Sequence, residues 1–267
     1  MKRALAFLFC LFFYADCSFG QAVQQESLTK LWKFSGIFTW SYNQTDISKN
    51  WTGKETYSRA WQGRLDTSAV RDSQSSNWLN TLKEYYGETV SNGSSSISLD
   101  TIEFNSVYTY KIFKNLQPYG SFYILSQNNK FWDPVTYIES AGLNFTLINS
   151  SMNTLKVRAG AAFKQIFNSK KDVERDFGGE SVIDYIFVFR QNTKFTSQFR
   201  IFETFRPTCE DIYLENRLFL KTGPWLTTEI GYIVYFDHSR IAAHSWTNDV
   251  ERMFYIALGF SFNMFQK

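Results

Sequence analysis

The chain has 267 residues, 19% of them aromatic, with 27 Phe, 15 Tyr and 8 Trp against only 4 Pro. A formal net charge of +3, with no basic run and no zinc-ligand spacing, excludes a nucleic-acid binder held by charge. Mean hydropathy is negative, which excludes a bundle of membrane helices but suits a β-barrel, whose polar interior offsets an apolar exterior.

Residues 1–20 read as a secretory signal peptide. Lys2 and Arg3 form the basic start, Ala4 to Ala15 the apolar stretch, and Ser18 and Gly20 the small residues of a cleavage site after Gly20. The apolar stretch is about twelve residues, short of the ~20 that an anchor helix needs. A lipoprotein at Cys17 would need a small residue where Asp16 stands. Residues 21–30 are expected as a short periplasmic segment and 31–267 as the barrel. Cys10 and Cys17 fall in the leader, so the mature chain keeps Cys209 and can form no intrachain disulfide.

From Trp32 onward the pattern has period two. Trp32, Phe34, Gly36, Phe38, Trp40 and Tyr42 alternate with Lys33, Ser35, Ile37, Thr39, Ser41 and Asn43. Soluble strands average five or six residues, whereas a tilted strand crossing a bilayer needs about nine to eleven. At ~3.3 Å per residue and a tilt near 40°, Trp32 and Tyr42 lie roughly 25 Å apart along the membrane normal, the height of an apolar band between two aromatic girdles.

The pattern recurs along the chain. Tyr57, Trp61, Gly63 and Leu65 alternate with Ser58, Gln62, Arg64 and Asp66; Ile102, Phe104, Tyr108, Tyr110 and Ile112 with Glu103, Asn105, Thr109 and Lys111. Leu155, Val157, Ala159, Ala161 and Phe163 alternate with Lys156, Arg158 and Lys164, and Ile183 to Phe189 with Asp184 and Arg190. Phe195, Phe199, Ile201 and Phe205 face away from Thr196, Gln198, Arg200 and Arg206; Ile230 to Phe236 from Glu229 and Gly231. The last strand is the cleanest, with Phe254, Ile256, Leu258, Phe260, Phe262 and Met264 on one side. Weaker segments are 77–87, where Trp78, Leu79, Leu82, Tyr85 and Tyr86 also fit a helical stripe, and 118–127, apolar on both faces. Asn216 and Glu203 interrupt apolar faces. About twelve strands result. Short links at 73–76, 115–117, 149–153, 192–194 and 222–224 alternate with longer ones at 44–55, 88–96, 128–136, 168–180, 207–211 and 237–251. Short periplasmic turns and longer outer loops are the rule for such barrels.

Two stretches carry a likeness. One runs Asn50-Trp51-Thr52-Gly53-Lys54-Glu55 and then Trp78-Leu79-Asn80 to Tyr85-Tyr86-Gly87; the other runs Tyr110 to Gly120, Ala141 to Phe145 and Ala159 to Lys164. Over roughly Asn50 to Lys164, with an echo at Leu214 to Asp237, the chain resembles uncharacterised outer-membrane barrel families, among them the salt-induced outer-membrane proteins. The resemblance implies fold and location and carries no activity.

Chemistry is sparse. His238 and His244 are six apart in a loop, which is no recognised metal spacing, and the five N-x-[ST] matches are expected as chance in an Asn- and Ser-rich chain. An outer-membrane lipid hydrolase would need His and Ser two residues apart on the lipid face. Two residues after His238 stands Arg240, and Ser239 has the wrong parity. No enzyme activity, cofactor or metal is expected. Inward parity places Lys33, Arg64, Lys111, Lys156, Arg158, Lys164, Arg190, Arg200, Arg206 and Arg217 inside, opposed by Asp66, Glu103, Asp184, Glu215 and Glu229. Of these, Arg64, Glu103, Lys111, Lys156, Arg158, Arg200, Glu215, Arg217 and Glu229 are the candidate lumen-lining set. They are expected either to plug the barrel as a salt-bridge network in a structural envelope protein, or to line a narrow, anion-favouring pore for small solutes. The alternatives are a surface-binding barrel acting through Trp51, Trp132 and Trp246 in its outer loops, and a secreted soluble β-sandwich. Expected partners are outer-membrane lipids, the barrel-assembly machinery during biogenesis and small solutes, with no nucleic acid.

Overall fold

A computed structural model describes residues 32–47, 56–129, 133–167, 173–205, 210–237 and 250–262. They form twelve strands: β1 (Trp32–Ile47), β2 (Thr56–Asp72), β3 (Ser76–Ser91), β4 (Ser94–Tyr110), β5 (Leu116–Ser126), β6 (Val135–Asn149), β7 (Asn153–Phe167), β8 (Val173–Arg190), β9 (Thr193–Thr204), β10 (Glu210–Lys221), β11 (Leu226–Asp237) and β12 (Val250–Phe262). Each pairs antiparallel with its sequence neighbours, and β1 pairs with β12 from Gly36↔Phe262 to Trp40↔Leu258, so the sheet closes on itself. Closure satisfies the backbone polar groups within the ladder, the condition for crossing hydrocarbon with strands. Among the described residues no helix is long and apolar enough to cross a membrane.

The side chains are arranged inside out relative to a soluble protein. On β12, Phe254, Ile256, Leu258 and Phe260 are 57–66% exposed, while Tyr255 and Ala257 between them are 4% exposed. The charged residues are the buried ones, Arg64 at 2% and Glu229 at 0%. This distribution and the closed ladder overturn the β-sandwich alternative, which would bury the Phe and Trp rows between two sheets. Aromatic pairs ring the outside near both ends, Trp61 with Tyr86 and Trp40 with Tyr42 toward the longer links, Trp32 with Trp78 toward the short turns.

One weak segment proves to be the strand it was counted as, and two other segments differ from the sequence reading. Residues 77–87 lie within β3, because pairing with β2 and β4 decides between two compatible periods; Trp78, Leu82 and Tyr86 share the outer face, and Lys83 and Tyr85 turn inward. The expected loop at 88–96 is instead a continuation of β3 and β4 around a two-residue turn, with Asn92 at φ 49° and Gly93 at φ 84°. Both angles suit the hairpin turn that favours Asn-Gly. Of the expected loop at 168–180, residues from Val173 onward are strand, since β8 begins there. At its start only Val173 and Phe177 are apolar on the outer face, with Arg175 between them, too sparse an alternation for a strand to be recognised by.

Glu203 is exposed on the outer face near the end of β9, and Glu139 likewise on β6. Trp78 Nε1 donates to Ser106 Oγ at 2.9 Å, which satisfies the indole on the outer face. The leader, Trp51, Trp132, Arg206, Cys209, His238, His244 and Trp246 lie outside the described residues.

Candidate functional site: a charged lumen with two vestibules

Inward parity on β2, β3, β4, β10 and β11 brings seven charged side chains together. Asp66 pairs in register with Lys83, and Arg217 with Gly231, so the two sides of the barrel present charge at one level. Arg217 is the hub. Its Nε donates to Glu229 Oε1 at 2.7 Å, its Nη2 donates to Asp66 Oδ2 across the lumen, and its Nη1 lies 3.8 Å from Glu215 Oε1. Lys83 Nζ donates to Glu215 Oε2 at 2.8 Å and lies 3.5 Å from Glu103 Oε1. Tyr85 donates its hydroxyl to Asp66 at 2.9 Å, and Tyr255 donates to Glu229.

Arg64 is held differently. Its guanidinium carbon stands 4.1 Å from the Tyr85 ring centre and 3.8 Å from that of Tyr255, between two π-faces that attract a cation. Glu215 and Glu229 come no nearer than 3.7 and 3.8 Å, and its three guanidinium nitrogens have no hydrogen-bond partner among the described residues. The position of Tyr255 depends on Gly231, opposite it in register: a Cβ there would lie 2.1 Å from the Tyr255 ring.

Smaller groups continue the pattern around the wall. Arg200 stacks on Tyr123 at 3.8 Å with its Nε 3.6 Å from Glu180, and Glu180 accepts from Ser140 Oγ at 2.5 Å. Arg158 donates to Asp184 at 3.3 Å, and Gln198 donates to the same carboxylate at 2.7 Å. Lys164 is paired with Asp211. Tyr123, Ile138, Ala162 and Phe202 form an apolar cluster inside the barrel. The interior is thus filled with side chains at mid-height.

Cavities lie on either side of this filling. One of ≈ 1140 Å³ opens toward the longer links, lined among others by Asp100, Glu103, Tyr123, Arg200, Asp211 and Tyr213. Another of ≈ 1140 Å³ opens toward the short turns, lined among others by Arg190, Lys194, Lys221 and Trp225. The two share no lining residue, and Arg64, Asp66, Arg217 and Glu229 line neither.

The sequence-derived residues divide by place. Arg64, Glu103, Arg158, Arg200, Glu215, Arg217 and Glu229 are all buried inside the barrel. Lys111 sits at the short-turn rim, where its Nζ donates to Asp72 at 2.5 Å and to the Ser73 carbonyl at 2.6 Å. Lys156 is exposed on β7. Sequence parity alone missed Lys83, Glu180, Lys194 and Asp211. Lys83 was hidden by the strand-or-helix ambiguity and the other three by assignment to links. The even parity that joins Glu180 to Asp184 was the available signal. These additions are two cations and two acids, so they leave the excess of inward cations read from sequence as it was; the near balance is confined to the mid-height group, where Arg64, Lys83 and Arg217 meet Asp66, Glu103, Glu215 and Glu229. Among the described residues no cluster of three or more metal-ligating side chains occurs.

No family model matches the chain, and no curated protein matches it. Solved structures do. The NanC porin is 12% identical over 85% of this chain and 98% of its own, with a TM-score of 0.46. An outer-membrane channel from Pseudomonas putida F1 is 10% identical over 91% and 99%, TM-score 0.48. The translocator domain of the autotransporter NalP from Neisseria meningitidis is 10% identical over 97% and 96%, TM-score 0.43.

Proposed function

We infer that this even-stranded antiparallel barrel, with its apolar, aromatic-girdled outside, sits in the bacterial outer membrane, whose architecture it shares. Within that setting, we propose that the barrel is a narrow passage for small solutes, constricted at mid-height by its cross-lumen ion pairs, and that it carries out no chemical reaction. The observation that supports this reading is the pair of vestibules, one at each end, separated by the Arg64–Arg217–Glu229 group. A protein whose interior served stability alone would have no need to hollow out both ends. A wide diffusion channel would not bridge its centre with an Arg217–Asp66 pair joining β10 to β2.

Twelve strands suit this middle case. Eight-stranded barrels fill with side chains, and sixteen leave an open aqueous channel. The preference is for anions, set by the basic short-turn vestibule and not by the balanced centre. Single-channel recording in planar bilayers tests the reading. The native protein is expected to give small steps, and Arg217→Ala combined with Asp66→Ala to give larger ones, because the bridge across the lumen is gone. Pure folded protein that gives no steps in either form is not a passage.

A further inference from the structure

The vestibule toward the longer links departs from the rule that the inward positions of such a barrel are polar. Its wall carries Leu125, Ile138, Ile166, Phe202, Ile233 and Met253, one each from β5, β6, β7, β9, β11 and β12. Register sets them side by side. Leu125 stands opposite Thr136 and Thr136 opposite Ile166, so these three form one row across three strands. Ile233 stands opposite Met253. Ile138 and Phe202 are buried in the apolar cluster with Tyr123 and Ala162, and Leu125 packs against it. Met253 packs against a second cluster of Ile233, Tyr255 and Ala257.

Packing alone does not account for these residues. Leu125, Ile166 and Met253 remain half-buried at the edge of a cavity of ≈ 1140 Å³. Facing inward, they gain nothing from lipid, and each keeps apolar surface that a solute would take out of water. The charges deep in the same cavity are already matched. Lys164 pairs with Asp211, Arg200 Nε lies 3.6 Å from Glu180, and Glu103 lies 3.5 Å from Lys83. Asp100 accepts from the Asn128 and Asn129 amides at 2.6 and 3.2 Å. Glu174 and Arg252 are exposed near the rim ends of β8 and β12. An entering ion would lose water and meet groups that already hold each other. An uncharged solute loses little water and covers apolar wall.

We propose that the vestibule toward the longer links is a binding site for an uncharged, mainly apolar small molecule, seated among Leu125, Ile138, Ile166, Ile233 and Met253. A concave, largely apolar cavity with a few polar groups is the kind of site that holds such a ligand. The anion preference inferred above belongs to the opposite mouth and is read in current. Binding here is read without current, so either reading can fail alone.

Fluorine NMR of para-fluorobenzyl alcohol, titrated against the folded full chain in phosphatidylcholine nanodiscs, tests it. Empty nanodiscs give the partition into lipid, which does not saturate. Above that background, saturable binding is expected. It should weaken about tenfold in the Leu125→Gln/Met253→Gln double variant, which loses two apolar contacts. It should be unchanged in Ile186→Gln, which alters an aliphatic residue of the other vestibule. Heat-modifiable gel mobility confirms folding of each variant; should the double variant fail to fold, Met253→Gln alone, near the start of β12, is expected to weaken binding by several-fold. The same ring bearing a charge of either sign, as para-fluorobenzoate or para-fluorobenzylammonium, is expected to bind several-fold more weakly than the alcohol. Absence of a saturable component, equal loss in Ile186→Gln, or undiminished binding in the folded glutamine variants of the site overturns the proposal. Binding of either ion as tight as that of the alcohol overturns it too.

Discussion

The centre of the lumen and its short-turn mouth both concentrate basic side chains, yet they use them in opposite ways. In the centre Arg217 touches three carboxylates and receives no solvent to speak of, at 7% exposure. At the mouth Lys194 and Lys221 sit in a cavity whose lining has no carboxylate at all. A charge taken out of water must be matched by its neighbours, and the centre meets that demand within the barrel itself. The central cations are therefore structural in the first instance, whereas those at the mouth face a cavity.

Removing the hub of the centre should have the largest effect. Arg217→Ala leaves Asp66 and Glu229 without their hydrogen-bonding cation, and stranding a buried charge in this way costs about 3–5 kcal/mol. Urea titration of the folded fraction in lipid vesicles, read by gel mobility, measures it. A cost below about 1 kcal/mol would mean that the centre is as loosely held as the mouth, and the contrast would collapse.

The next effect is expected from a residue with no charge. Gly231→Ala places a methyl group where the Tyr255 ring lies, 2.1 Å away. Tyr255 cannot swing aside cheaply, since it donates to Glu229 and forms one face of the Arg64 sandwich. Overpacking of this kind costs about 1–3 kcal/mol, and the same titration checks it. The variant should also give larger current steps than the native protein if displacing Tyr255 loosens Arg64. Native-like stability would show that the ring is not a fixed strut of the centre.

How much of this was legible beforehand depends on what each strand faces. β1 and β12 were plain, because one side meets hydrocarbon and the other water along most of their length. β3 was not, since Trp78, Leu79, Leu82, Tyr85 and Tyr86 satisfy both periods and only the β2 and β4 ladders choose between them. The 88–96 stretch was misread for a related reason: toward the tip the hairpin is exposed from Ser91 to Ser98, and nothing there demands apolar alternation. For the candidate site, inward parity picked out Arg64, Glu215, Arg217 and Glu229 individually. It could not join them. The Arg217–Asp66 pair spans 151 positions in sequence and exists only once the ladder has closed and fixed every register. Nor could parity sort the cations by height, which is what separates a balanced centre from a basic mouth.

The smallest effect on stability, and the sharpest test of the contrast, comes from giving the mouth the carboxylate it lacks. Lys194→Glu would set an acid opposite Phe219, one inward step from Lys221 and on the wall shared with Arg190. The local pattern would then match that of the centre, a cation and an acid on facing strands. Partly exposed pairs are worth about 0.2–1 kcal/mol, so the urea midpoint should hold or rise slightly, while the anion preference of the current in planar bilayers falls. A midpoint that drops by more than about 1 kcal/mol would mean that Lys194 already has a structural task at its position beside Arg217 and Phe219. The cations of the mouth would then belong with those of the centre, and solute selection would have to be sought at the other vestibule.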